Sequence, residues 1–333
     1  HLGAPVVSLS PAYSLSSPTH RRLLHIAGLV GAAVCFVEER GPYARALAAL
    51  GAAPAAVLDA DEVRRAAAEG APAPRAAIGP GTIAKVLFTS GSTGEPKGVV
   101  NTHQMLTANQ ESLRACWPFL EDEPPIVVDW LPWSHTFGGN HNLHMVLRNG
   151  GTLVIDEGRP APGLVERSVA NLAEVQPTIW FNVPRGFDMA LPLLEADLKL
   201  AKRVFDRLRV VFYAGAALPQ ATWERLQALS TKVRGEEVWL TTSWGSTETA
   251  PGITSAHWRL DRAGNIGLPM PGVELKFIAD PAHAGFLHVV LPLGVRRSGD
   301  LRLVLPPDGD ARRYVEAASL NPVRQVCQPS PQV

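Results

Sequence analysis

The sequence predicts an α/β fold in which parallel sheets are covered by helices. Three observations carry that expectation. Apolar, β-branched runs alternate with helical patterns through the middle of the chain, the rhythm of strand–helix–strand units. A loop rich in glycine and hydroxyls, Thr89 to Gly98, directly follows the apolar run Val86-Leu87-Phe88. With 333 residues and 46% hydrophobic content, the chain can bury the core of one large domain or two modest ones.

Taken in order, Ile26 to Val37 is the longest apolar run. It is too short to span a membrane, is interrupted by Gly28 and Gly31, and reads as a buried helix end followed by a strand. Ala44 to Pro80 is alanine-rich and punctuated by glycine and proline, which predicts one or two helices and then a linker. Val86 to Phe88 and Val99-Val100 flank the glycine-rich loop, so the loop joins two strands. Behind it, Asn101 caps a helix running to about Cys116, with Gln104 as capping-box partner and Met105, Leu106 and Leu113 on the inner side. Ile126 to Val128, Thr152 to Ile155, Thr178 to Phe181, Val210 to Tyr213 and Val238 to Thr242 read as strands. Between them Asn140 to Leu147 and Val165 to Glu174 read as helices. Pro219 suits the first turn of a helix through Leu229 that turns Trp223, Leu226 and Leu229 to the core. Ser319 to Val333, with three prolines, has too little periodic apolar content to pack.

Composition narrows the function. Lys plus Arg (31) cancels Asp plus Glu (31), so no net field draws the molecule to nucleic acid or an anionic membrane, and neither is expected as a partner. Cys35, Cys116 and Cys327 are far apart and lack any Cys-x-x-Cys spacing, which argues against a disulfide framework and a zinc site and suits a reducing cytoplasm. The chain opens on His1, and from Leu2 onward shows no secretory signal pattern, so it reads as cut into.

Several clusters carry chemistry. In the loop, Thr89, Ser90, Gly91, Ser92, Thr93, Gly94 and Lys97 combine converging backbone N–H groups, hydroxyls and a positive charge, a nest for phosphate. It is not a Walker loop, because Lys97 lies between Pro96 and Gly98 rather than before a hydroxyl that opens a helix. Glu248 lies just past a strand, where open α/β sheets bind ligands, and a phosphate-bound Mg²⁺ takes one or two such carboxylates. Gly215, Ala216 and Ala217 are small enough for a ligand to lie against the backbone. His135 follows a strand, among aromatics and before the paired glycines Gly138-Gly139. His141 and His144 share helical spacing, but no third ligand of matching spacing appears, so no metal site is expected there.

Four segments in order, Thr89 to Gly98, Gly215-Ala216-Ala217-Leu218, Trp244-Gly245-Ser246-Thr247-Glu248 and Ser298-Gly299-Asp300, resemble the signature of the adenylate-forming superfamily. That superfamily holds the acyl-CoA synthetases, nonribosomal-peptide adenylation domains and luciferases. The resemblance implies its large N-terminal domain of stacked α/β subdomains over 1–263, a reduced β-rich part over 264–318 and a loose tail over 319–333. It implies ATP, Mg²⁺ and CoA with a small carboxylic acid as substrate, activated to acyl-AMP and passed to the CoA thiol. By the same resemblance Glu248 holds magnesium, Thr247 contacts phosphate, and Trp244 with Gly245 and the Gly215–Ala217 turn line the adenine. Asp300 binds ribose, at the end of a passage from Leu287 to Arg297 shorter than the family's usual one. His135 borders the acyl carboxylate.

The wording Asp129 to Asn142, with Phe181-Asn182-Val183-Pro184, Thr247 to Pro251 and Val7 to Leu15, looks most like the feruloyl-CoA synthase type. This implies a hydroxycinnamate-like acid, with Trp133, Phe137 and Trp180 as walls for a flat ring. The family's Gly-Arg hinge and lysine-bearing C-terminal segment have no counterpart after Asp300, the last lysine being Lys276. Its initial strands have none before Leu2. A truncated, impaired synthetase is therefore expected. An inactive nucleotide-binding remnant and a stand-alone adenylation domain serving another acyl acceptor stay open beside it.

Overall fold

The alternation of apolar runs and helical segments folds into a mixed α/β architecture. The computed structural model describes residues 3–51, 57–70, 77–90, 94–279, 286–290 and 301–304, with the backbone alone at Ser90 and from 276 onward. Packing divides the chain into two compact units, residues 1–104 and 105–333, a division inside the expected 1–263 domain.

The first unit begins with helices α1 (Ala12–Leu15) and α2 (Arg21–Val30). Strand β1 (Cys35–Phe36) pairs in parallel with β2 (Val57–Leu58), joined through α3 (Arg40–Leu50). Helix α4 (Ala60–Ala68) starts on a capping box of Asp59 and Glu62. Arg40 locks that box to α3, donating to Asp59 at 3.0 Å and to Glu62 at 2.7 Å. Strands β3 (Ile83–Ser90) and β4 (Pro96–Thr102) form an antiparallel pair with Thr89 opposite Lys97. The glycine-rich loop thus joins two strands, as expected.

Two expectations in this unit need correction. Ile26 is buried, but Leu29, Val34 and Phe36 are 61%, 55% and 62% exposed, so the apolar run is a helix end and strand without being buried as a whole. Asn101 is not a helix cap. It lies in β4 opposite Lys85, and α5 (His103–Cys116) starts two residues later. The His103 and Gln104 amides donate instead to the carbonyls of Thr82 and Pro80, each at 3.0 Å. These backbone acceptors satisfy helix N–H groups that a cap would otherwise serve.

The second unit is built on a seven-stranded sheet. Strands β5 (Ile126–Asp129), β6 (Thr152–Ile155), β7 (Ile179–Asn182), β8 (Val210–Tyr213) and β9 (Trp239–Gly245) run parallel in the order β6-β5-β7-β8-β9. Strands β10 (Gly252–Ser255) and β11 (Leu268–Pro269) extend it antiparallel. Alternate side chains face alternate sides. Trp180, Val211, Tyr213 and Leu240 pack under α7 (Val165–Val175), α8 (Pro184–Ala196), α9 (Leu198–Phe205) and α10 (Gln220–Arg234). Ile179, Phe181, Val210 and Phe212 face the other way, against α5 and Met145 of α6 (Leu143–Arg148). Both faces are covered, which explains why these strands read as continuous apolar runs. Trp223, Leu226 and Leu229 are buried as expected, and α10 runs five residues beyond Leu229, to Arg234.

The short helix expected from Asn140 begins earlier. A π-helical turn, Phe137–Asn142, runs into α6. Strands β12 (Lys276–Ala279), β13 (Phe286–Val290) and β14 (Leu301–Val304) form a separate antiparallel sheet. Among the described residues no helix is long and apolar enough to cross a membrane.

Candidate active site

Because β5, β7, β8 and β9 are parallel, the segments that follow them leave one edge of the sheet. In an open α/β sheet that edge is the ligand-binding crevice. It carries Trp130 to Asn142 after β5, Val183-Pro184 after β7, Ala214 to Leu218 after β8 and Ser246 to Thr249 after β9. The sequence-predicted residues His135, Gly215–Ala217 and Trp244–Glu248 therefore share an edge although they lie far apart in the chain.

After β9 the chain folds back tightly. A Cβ at Gly245 would sit 1.9 Å from the Pro251 carbonyl oxygen, so only glycine allows the return. Thr247–Thr249 forms a 3₁₀ turn, braced by the Thr249 hydroxyl, which accepts the Ser246 amide at 2.9 Å. From α5, Asn109 donates to the Gly252 carbonyl at 2.6 Å and accepts the Gly252 amide at 3.3 Å. On this braced turn Thr247 is buried and Glu248 half-buried. The Glu248 carboxylate has no ion-pair or hydrogen-bond partner among the described residues. Trp244 is half-buried, its amide donating to Thr254 Oγ1 at 3.1 Å. After β8, Gly215 adopts φ +84°, and Ala216 and Ala217 are exposed, leaving a bare stretch of backbone.

The segment after β5 is held by polar residues at strand ends that sequence reasoning did not single out. Asp129 accepts the Leu131 amide at 3.0 Å and the Asn142 side-chain amide at 2.9 Å. The Asn142 side-chain oxygen Oδ1 in turn meets His141 Nδ1 at 2.9 Å. His141 is buried, stacked on Phe212 at 5.2 Å, and burial pushes its pKa down to about 4. Burial pushes Asp129 up to about 6, against its two hydrogen bonds. At the end of β7, Asn182 accepts Trp130 Nε1–H at 3.1 Å. The available signal was a polar residue closing an apolar run, in Ile-Val-Val-Asp and Ile-Trp-Phe-Asn.

His135 lies at the surface of this framework. The Phe137 amide donates to its Nδ1 at 3.2 Å, so the neutral ring carries its proton on Nε2, a donor free for a ligand. Part of the residue remains open to solvent, yet the surrounding protein lowers its pKa by desolvation, which favours that neutral form. Among the described residues no group of three or more His, Cys, Asp or Glu could hold a metal. His141 is instead a core residue.

Trp133, Phe137 and Trp180 do not form one wall, and this corrects the expected acyl pocket. Trp133 is 43% exposed. Phe137 packs with Phe181 and Phe212 on one face of the sheet, whereas Trp180 packs against Phe187 on the other. The cavity beside Trp180 is about 10 Å³, room for a water rather than a ring.

In the other unit, β3 and β4 form the arms of the glycine-rich loop. Thr89 is half-buried and Lys97 exposed, and the Lys97 ammonium has no partner among the described residues. Gly94 adopts φ +86°. The second arm is tied to α2. Arg21 pairs with Glu95, and His25 Nε2 lies 3.0 Å from the Pro96 carbonyl. Gly91, Ser92, Thr93, Asp300 and the side chain of Ser90 lie outside the described residues.

The family model for AMP-binding enzymes matches residues 1–289. A long-chain-fatty-acid–CoA ligase of Escherichia coli O157:H7 is 30% identical over 204 residues, 60% of this chain and 34% of that protein. A mitochondrial malonate–CoA ligase of Mus musculus is 25% identical over 223 residues, 64% of this chain and 36% of that one. The chain thus spans about a third of the length of the curated relatives it matches. A malonyl-CoA ligase solved with methylmalonyl-CoA and AMP bound aligns at TM-score 0.69 and 25% identity, covering 92% of this chain and 65% of that one. An anthranilate CoA ligase in complex with anthranoyl-AMP shares the fold at TM-score 0.66 and 20% identity, covering 87% and 60%. A family model matched over 289 residues and a sheet edge that carries the signature residues lead to one conclusion: this chain belongs to the AMP-binding enzyme family.

Proposed function

We propose that the protein serves an acid–CoA ligase reaction. A carboxylate oxygen of the acid attacks the α-phosphorus of ATP, pyrophosphate leaves, and the CoA thiol then displaces AMP from the acyl-AMP. The observation that carries this reading is the unpartnered, half-buried carboxylate of Glu248 on a braced turn at the ligand edge of the sheet. Relatives named as fatty-acid and malonate CoA ligases support it, as does a similar structure described as ATP-bound.

In this reading Glu248 is the hard oxygen ligand for Mg²⁺, and the donor set fits, since Mg²⁺ takes one or two carboxylates beside phosphate oxygens. Bound there, the ion would offset charge on the phosphates. By the likeness of their motifs, Thr247 is assigned a phosphate contact, the loop residues Thr89 to Gly94 with Lys97 are assigned phosphate oxygens, and Asp300 the ribose hydroxyls. Trp244, Gly245 and the Gly215–Ala217 turn receive the adenine. His135 donates from Nε2 to the acid's carboxylate, orienting one oxygen for attack. Such positioning and electrostatics carry most of the barrier lowering in phosphoryl-group chemistry.

The substrate class we propose is an aromatic, hydroxycinnamate-like acid, resting on the wording of residues 129–142. Calorimetry of Mg·ATP with wild type and Glu248→Ala tests the site. The variant is expected to bind about tenfold or more weakly, the worth of one charged contact, with an unchanged far-UV CD spectrum; equal affinity would remove Glu248 from the site. Acid-dependent exchange of labelled pyrophosphate into ATP tests the substrate. Ferulate is expected to stimulate it more than malonate or palmitate, and the reverse order would discard the aromatic reading.

A further inference from the structure

At the opposite edge of the same sheet, where β8 and β9 begin, lies a cleft of about 490 Å³. This is within the range of small-molecule sites, and nothing in the proposed reaction uses it. Its floor and wall are aromatic. Phe119 and Trp239 meet edge to face at 5.8 Å. Trp239 Nε1–H donates to the Trp258 carbonyl at 3.0 Å, so this indole has its hydrogen bond already, and its ring is half-buried on the lining of the cleft. Trp258 is 36% exposed.

The cations around these rings are unevenly compensated. Arg209 lies over Phe119 at 5.0 Å and pairs with Asp122, Arg234 pairs with Glu236, and Asp206 pairs with Lys202. That leaves Arg207 and Arg259 against Glu237 on the lining. Among the described residues neither guanidinium has a carboxylate partner, and Arg259 spends one N–H on the Glu237 backbone carbonyl at 3.2 Å. A guanidinium fork with free donors matches a phosphate in a bidentate way. Aromatic faces beside it accept a flat base by stacking.

We propose that this cleft is a second ligand site that binds a nucleotide phosphate, the base on the Trp239 and Trp258 faces and the phosphate on Arg259 and Arg207. It is separate from the edge that carries Glu248, because the parallel strands put their beginnings and ends on opposite sides of the sheet.

Photolabelling with azidoadenosine monophosphate, followed by peptide mapping, tests the assignment on the whole 333-residue chain. Label is expected on peptides carrying Trp239 or Trp258, reduced about tenfold at a subsaturating dose by Arg259→Ala, on the scale of one charged hydrogen bond. Trp258→Ala is expected to reduce it as well. Both residues are exposed, so an unchanged CD spectrum is expected to accompany the loss. Glu248→Ala should leave the cleft label intact, which separates this proposal from the reading of the first site. Competition by AMP or by adenosine bisphosphate, whichever is stronger, would tell a nucleotide of the ATP kind from the nucleotide end of a coenzyme A kind. Absence of label from the cleft, equal label in both cleft variants, or displacement by inorganic phosphate as effective as by AMP would overturn the proposal.

Discussion

His141 carries an uncharged imidazole inside the protein, in one hydrogen-bonded chain with Asn142 and Asp129. The two titrating ends of that chain act on stability with opposite sign. His141 has a folded pKa of about 4 against 6.5 unfolded. Between those values the unfolded chain binds more protons, so stability falls as pH drops. Asp129 has a folded pKa of about 6 against 3.8, so over its window the folded chain holds the proton and stability rises as pH drops. Each shift is worth on the order of 3 kcal/mol, so the two largely offset. Replacing His141 with Phe leaves Asp129 unopposed. The melting temperature of His141→Phe relative to wild type is therefore expected to rise as pH goes from 6.5 toward 4, read by CD melts. A constant difference across that range would show that the imidazole is not held neutral. The carboxylate and the amide that complete this chain were visible in the sequence only as strand ends, because partners 13 residues apart meet only after the strand and the π-helical turn have packed.

At the scale of elements, the π-helical turn owes its position to two glycines. A Cβ at Gly138 would lie 2.5 Å from the Leu131 carbonyl oxygen, and one at Gly139 would lie 2.4 Å from that of Trp133. Their absence lets the turn press against the backbone that carries His135. Gly138→Ala is expected to cost about 1–3 kcal/mol in urea unfolding, the scale of overpacking. A loss below a few tenths of a kcal/mol would mean that the loop yields easily. Helical spacing predicted an element from Asn140, and that part was legible. Its true start depends on backbone six to seven residues upstream of those glycines, which no periodicity reports. Asn101 failed as a cap for a related reason: Thr82 and Pro80, brought close by the hairpin, supply the acceptors.

Across the whole molecule, the sheet of the second unit separates two aromatic cores. Trp180 belongs to one, 2% exposed against α8, and Phe137 and Phe181 belong to the other. Truncating Trp180 to Ala should cost about 3–5 kcal/mol by loss of packing, whereas Trp133→Ala, at 43% exposure, should stay within about 0.5 kcal/mol. Denaturant unfolding of the two variants checks this, and similar losses would contradict the division into core and surface.

Taken alone, the sequence determined the α/β class, the hairpin that carries the glycine-rich loop and most strand positions. Those properties reside in local pattern: apolar period and glycine and proline punctuation. Only tertiary structure decided which aromatic side chains share a space. Trp180 and Phe181 are neighbours in sequence, yet they face opposite sides of the sheet, because successive strand residues alternate and the helices on each side determine which core each side chain enters. The cleft at the far edge was equally hidden, since Phe119, Arg209, Trp239 and Arg259 come together only where parallel strands begin side by side.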